Sequence, residues 1–267
     1  MNRINIEFAS SSSGTAPCGT PWDTTGNNHF RDQIIRPDLS SRRYSCPSGE
    51  TWVRIVPALL GSRNWMLGVH ALTYANGQHS HAKTIGSGAK CVFDQAHGWF
   101  MRNRPEALYS KANTSGYNLQ TKPLCLCWII VQENGKIVAR LLQASGFSGY
   151  SGSTGFRPGL GHQIWQLAHE RDEHGDLVAD LIDRTNGVQL CIQKDQPKGS
   201  RYPIYSLRRG QDPAPIGEIL ERMDPAEISA LTRLEDVVYL PDEETEWKIL
   251  GNIIGRDTVS KIRAAQP

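Results

Sequence analysis

The chain has 267 residues, with 29 Lys and Arg against 27 Asp and Glu, 7 Trp, 8 Tyr, 6 Phe and 6 Cys. That length suits one large core with appendages. No window approaches the ~18 consecutive apolar residues of a membrane span, and residues 1–13 lack the charged start and apolar run of a secretory signal, so the expectation is a cytosolic protein with no membrane contact. Cys18, Cys46, Cys91, Cys125, Cys127 and Cys191 are scattered along the chain, unlike a small disulfide framework, and read as reduced thiols.

The near-neutral net charge hides two opposite ends. Residues 1–160 hold 16 Lys and Arg against 8 Asp and Glu, whereas 212–246 hold 2 basic residues against 11 acidic ones. The aromatics favour the basic part, with 16 of them before residue 161. Cationic side chains interleaved with aromatics suit a polyanion whose bases stack.

Residues 1–50 are rich in Ser, Thr, Gly, Asn and Pro, with too few periodic apolar residues for a fold of their own, and read as a flexible arm. From 51 the texture changes. WVRIVPALL and WMLGVHALTY are short β-prone runs separated by GSRN, two strands and a turn. Residues 91–104 carry Val92, Ala96, Trp99 and Phe100 at helical spacing and stop at Pro105, where a second short helix fits. PLCLCWIIV, ENGK and IVARLLQ make the clearest hairpin, because Asn134-Gly135 takes the positive φ that a two-residue turn demands.

The glycine-spaced stretch 145–161, with Phe147, Tyr150 and Phe156, reads as a long flexible loop. HQIWQLAHERD then fits an amphipathic helix, and DLVADLIDRT, GVQLCIQK and RYPIYSLRR read as two or three further strands. Beyond 211 the pattern is helical and acidic, with Pro215 ahead of IGEILERM and Asp224-Pro225-Ala226-Glu227 as a capping box. The predicted architecture is a mainly β core over 51–210 with inserted helices and a helical, acidic C-terminal region over 211–267.

For a nucleic-acid surface the candidates are Trp52, Arg54, Trp65, Tyr74, Trp99, Arg102, Arg104, Tyr109, Lys111, Tyr117, Lys122 and Arg140. Arg and Lys release counterions from phosphates, and aromatic rings stack on bases. Trp52, Trp99 and Trp128 lie inside apolar runs and read as core ahead of stacking residues, whereas Tyr109 and Tyr117 lie in the polar stretch YSKANTSGYNLQTK and point to exposure.

Metal binding has weaker support, because structural zinc favours close pairs such as CxxC and the best set here is the dispersed Cys46, His79, His81 and Cys91. No metal or other cofactor is predicted. Asp172, Glu173, Asp176, Asp180 and Asp183 offer nuclease-like carboxylates but read as solvated, and Cys91 with His97 lacks an oxyanion signature. Walker and dinucleotide fingerprints are also missing. The expectation is a non-enzymatic protein.

The succession of WVRIVPAL, the helix over 91–100, LCLCWIIV with GKIVARLL, IWQL, DLIDRTNGVQLCIQK and RYPIYSL resembles the single-stranded DNA-binding proteins of tailed bacteriophages, the T4-type helix-destabilising family and its N4-like relatives. It covers roughly residues 50–210. The resemblance implies an OB-fold β-barrel core, sequence-independent binding of single-stranded DNA in replication, recombination and repair in the cytoplasm of the infected host cell, and an acidic C-terminal region that contacts replication proteins. It places the groove residues between Arg102 and Lys122. The T4-type zinc site is not carried over, because Cys91 has no cysteine three residues away. The family's basic, Ser/Thr-containing self-association element is echoed only by Ser40-Ser41-Arg42-Arg43. N4-like relatives add a second reading, a transcription cofactor that recruits RNA polymerase through the acidic region.

Overall fold

The computed structural model describes residues 37–62, 64–73, 80–84, 92–110, 112–113, 115–119, 122–145, 150–152, 155–175, 181–198, 203–238 and 242–265. Most of the predicted arm, residues 1–36, lies outside them. The described chain starts with a 3₁₀ turn, Pro37–Arg42, and a two-residue strand β1 (Arg43–Tyr44). Strands β2 (Gly49–Ile55), β3 (Leu67–Thr73) and β4 (Ser80–Thr84) lead to helix α1 (Val92–Asn103) and a 3₁₀ turn, Pro105–Ala107. Next come β5 (Lys122–Glu133), β6 (Lys136–Ser145), β7 (Tyr150–Gly152), β8 (Gly155–Arg157) and α2 (Leu160–Ala168). Then β9 (Val188–Asp195) and β10 (Ile204–Pro213) precede α3 (Ile216–Glu221), α4 (Pro225–Ser229), α5 (Leu234–Val237), α6 (Glu243–Ile254) and α7 (Arg256–Ala264).

The β5–β6 hairpin organises the sheet. Asn134 (φ 50°) and Gly135 (φ 77°) adopt the expected positive angles, and the ladder runs from Glu133↔Lys136 to Leu124↔Ser145. On its other edge β5 is shared, pairing first with β3 (Leu67↔Leu126) and then with β2 (Val53↔Val131). β2 continues to β9 and β9 to β10, so the order is β1-β6-β5-β2-β9-β10, with β3 and β4 branching from β5. Among the described strands only β1 and β6 pair parallel, and outside the strands Leu108 and Tyr117 form a single parallel bridge. This mixed sheet is open: β10 pairs with β9 alone and β4 with β3 alone, so the strand path does not close into a barrel among the described residues.

β5 is buried on both faces, which explains its continuous apolar run. Leu126, Trp128 and Ile130 point into one cluster, closed by Ile216, Ile219, Met223, Leu231, Leu234, Val237 and Val238 of the α3–α5 region. Cys125, Cys127, Ile129 and Val131 point into a second, closed by Leu160, Ile164 and Ala168 of α2. A third cluster joins Val92, Phe93, Ala96 and Phe100 of α1 to Trp247, Leu250, Ile254, Val259 and Ile262 of α6 and α7. The acidic C-terminal region is therefore built into two of the three cores. Burying a large apolar side chain is worth ~1.5–3 kcal/mol, so the seven side chains it adds to the first cluster are worth roughly 10–20 kcal/mol.

Several local expectations are corrected. The 145–161 stretch is not wholly loop: it contains β7, β8 and the start of α2, and Gly161 lies so close to Cys125 that an added Cβ would sit 2.5 Å from Sγ. Its glycine there serves close packing. The strand expected over 176–185 is a turn from 181 onward, because Asp183 Oδ1 accepts the Thr185 N–H at 2.8 Å and the Asn186 N–H, and such local bonds compete with a ladder. Residues 176–180 lie outside the described ones. β4 was not anticipated, since GQHSHAKT has no apolar alternation.

The capping box is half made. Asp224 accepts the Ala226 N–H at 2.8 Å, but Glu227 turns away to accept the Ala139 N–H at 2.9 Å and to pair with Arg42, with Arg140 at 3.7 Å. The Arg42 of the Ser40-Ser41-Arg42-Arg43 echo is thus engaged within its own chain. Glu246 is fully buried, and its Oε2 accepts the Val92 N–H at 3.2 Å. A C-terminal carboxylate thereby meets the positive end of α1.

Candidate nucleic-acid interface

Four large hydrophobic side chains are exposed among the described residues: Trp52, Leu60, Met101 and Tyr109. Two of them are predicted stacking residues. Trp52 projects from β2, where alternate positions Thr51, Val53 and Ile55 are buried. The register places it opposite Cys191 of β9, which in turn lies opposite Arg208 of β10, so the three form one row across the sheet. Cys191 is buried, leaving Trp52 and Arg208 as the row's exposed members.

The Arg208 guanidinium carbon lies 5.3 Å from the Trp52 ring centroid, within cation–π range. Its Nη2 also donates to Glu50 Oε2 at 2.6 Å. On the next row along this face Glu50 lies opposite Gln193, and Gln193 opposite Ser206. Gly210 completes the support, since a Cβ there would come to 3.6 Å from Trp52 Cζ3 and 3.2 Å from the Gln189 carbonyl. The result is a 40% exposed indole on an open sheet face, with a guanidinium beside it and polar neighbours.

A second group surrounds the end of α1. Arg102, Arg104 and Tyr109 are all exposed, and Arg104 sits 3.7 Å from Glu106. Tyr109 is 51% exposed on a well-tied segment: its N–H donates to the Tyr117 carbonyl at 3.0 Å, and Ser110 and Asn113 exchange backbone bonds. Tyr117 and Trp99 are half-buried and pack on Phe100, at 5.5 and 5.2 Å between centroids. This group belongs to the helical third core, and Trp52 and Arg208 to the sheet.

Other predicted residues are placed elsewhere. Arg54 is 1% exposed, and its guanidinium donates to the carbonyls of Ala214, Ile55, Leu181 and Asp183. It is an internal tie between β2 and the chain around β9, because the turn over 181–187 and Ala214 close over β2 at that point. Trp65 is 3% exposed and belongs to the second core. Arg140 is half-buried and held by Glu133, with Glu227 nearby. Lys122 opens β5 opposite Ala71. Tyr74 and Lys111 lie outside the described residues. Trp128 is core, with its Nε1 donating to the Thr232 carbonyl at 2.8 Å.

Of the dispersed zinc set, Cys46 is buried, His81 lies in β4, and His79 and Cys91 fall outside the described residues. No group of three metal-ligating side chains occurs among the described residues. Burial pushes the Cys46 and Cys127 thiols up and raises Cys125 to about 12. Thiols so placed are inert core groups. Asp172 and Asp183 accept backbone N–H groups of their own turns.

Sequence reasoning missed Arg208. The string RYPIYSLRR marks a strand whose alternation puts Ser206 and Arg208 on one face, but only the pairing order shows that this face carries Trp52. It also missed the pairing of Trp165 with His169, whose rings stack at 4.4 Å. No protein-family model matches the chain, and no curated protein sequence matches it. No described helix is long and apolar enough to cross a membrane.

Proposed function

We propose that the protein is a non-enzymatic, sequence-independent single-stranded DNA-binding protein that coats phage DNA during replication, recombination and repair in the infected host cell. The observation that carries the reading is the exposed Trp52 ring on an open sheet face beside the Arg208 guanidinium. A base stacks on such an indole without regard to sequence, and the guanidinium meets the adjoining phosphate. Exposed Tyr109, Arg102 and Arg104 supply a second cation-and-aromatic surface. In this reading the sheet is an opened relative of the OB-fold, with the β2–β9–β10 face as its binding surface. Self-association on DNA belongs to the same reading.

Tryptophan fluorescence during titration with an unstructured oligodeoxynucleotide, repeated with duplex and at several salt concentrations, tests it. Quenching by single strands alone, weakening steeply with salt, is the expected result. Equal binding to duplex, or no response to either, overturns it.

A second reading, a transcription cofactor, is favoured by the exposed carboxylates of Glu218, Glu221, Asp224, Asp242, Glu243 and Glu244. They suit a basic patch on a replication or transcription protein. Glu218→Lys with Glu221→Lys separates the two: a cofactor loses polymerase stimulation while keeping its DNA affinity, and a coating protein has no stimulation to lose.

A further inference from the structure

Beside β10, on the opposite side of the sheet from Arg208, lies an open groove of about 630 Å³, within the size range of small-ligand sites, ~300–1,000 Å³. One wall is the Trp165–His169 pair, with centroids 4.4 Å apart and planes at 27°. The pair is held in place: His169 Nδ1 lies 2.8 Å from the Trp165 carbonyl, and the buried Trp65 ring stands 6.4 Å behind the imidazole. An imidazole nitrogen facing a carbonyl carries the hydrogen, so in the neutral ring Nε2 is left as an acceptor. Leu207 supplies apolar contact, and Gln163 and Gln166 supply amides. Gln163 is oriented by its own bond to the Pro158 carbonyl at 2.9 Å.

The charge of this lining decides what fits. It contains no Lys or Arg, and its carboxylate, Glu170, is held by Arg209 at 2.6 Å. A phosphate finds no cation among these residues. A flat, uncharged ring with a hydrogen-bonding edge finds aromatic surface, amides and an acceptor. We propose that this groove is a second base-binding subsite, taking a nucleobase of the same single strand further along from the base that stacks on Trp52.

The proposal rests on the single-strand reading above, and the geometry of β10 links the two places. Leu207 and Arg208 are consecutive and face opposite sides of the sheet. β10 is an end strand, paired with β9 alone among the described residues, so a strand anchored at Arg208 passes over its free edge into the groove without crossing another strand.

The test is photocrosslinking of the full-length protein to a single-stranded oligonucleotide in which thymidine is replaced by 5-bromodeoxyuridine, followed by peptide mapping. Two labelled segments are expected, one containing Trp52 and one containing Trp165 and His169. In parallel, His169→Ala should weaken binding of long oligonucleotides several-fold and leave short ones, which fill only the Trp52 face, unchanged. Label confined to the Trp52 segment, with long oligonucleotides bound by His169→Ala as by the parent protein, overturns the subsite and leaves the single-strand reading standing. No label on either segment and no fluorescence response overturns both.

Discussion

Replacing Arg54 with Met tests whether this arginine is a structural tie or part of the DNA surface. In the fold its guanidinium serves four carbonyls, and the bonds to Ile55 and Leu181 are buried on both sides, whereas those to Ala214 and Asp183 are only partly so. Methionine fills similar length but donates nothing. Water re-enters at the two partly buried carbonyls, so the cost falls on the two buried ones. An unsatisfied buried acceptor costs about 1–3 kcal/mol, which gives roughly 2–6 kcal/mol for the pair. With a urea m-value of ~1–3 kcal/mol per molar, a loss near the middle of that range lowers the unfolding midpoint by roughly 2 M. Urea unfolding followed by far-ultraviolet circular dichroism measures it, with DNA affinity of the folded variant determined alongside. Gly187 packs directly against the guanidinium, so Gly187→Ala should destabilise through the same contact. A midpoint within about 0.5 M of the parent, together with a clear loss of DNA affinity, would refute the structural assignment and return Arg54 to the binding surface.

Trp52→Ala should cost about 1–3 kcal/mol of single-strand affinity while the variant still folds, because the ring is 40% exposed and belongs to none of the three core clusters; an unchanged dissociation constant removes it from the interface. Arg208→Ala should reduce the slope of log affinity against log salt by about one, as should Arg102→Ala if the α1 end lies on the DNA path. The Cys125 thiol, raised by burial from 9.0 to about 12, stays protonated in the fold after its unfolded counterpart has ionised. Its contribution is therefore complete below pH 9.0 and is lost as pH rises from 9.0 towards 12. Chemical denaturation at pH 7, 9 and 10.5 should show falling stability, with a shallower fall in Cys125→Ala that does not vanish because burial raises Cys46 and Cys127 too; an equally steep fall in that variant assigns the loss to other groups.

Local chemistry was legible in the sequence wherever a residue acts through its immediate neighbours. Asn134-Gly135 specified the hairpin because few residues tolerate positive φ, and Pro105 ended α1 because proline cannot continue a helix. The exposure of Tyr109 followed from its polar surroundings. The helices α3 to α7 beyond β10 followed from periodicity and caps, with Asp224 and Asp242 accepting N–H groups as N-caps do.

What the sequence could not specify were the relations between distant segments. Arg54 and Trp52 sit two apart in one run with the same kinds of neighbours, yet one is a buried tie and the other a surface ring. The difference arises where the turn over 181–187 and the chain at Ala214 close over β2, and none of those contacts is local. Likewise the sequence marks 211–267 as a helical, acidic region beyond the β core, whereas the apolar face of its helices packs on the sheet and on α1. Sequence alone determined the β5–β6 hairpin, the helices α1 and α2, the charge asymmetry and the aromatic supply. Strand order and register alone decided that Trp52, Cys191 and Arg208 share a row, because side chains brought together by pairing across 156 residues of chain leave no periodicity to read.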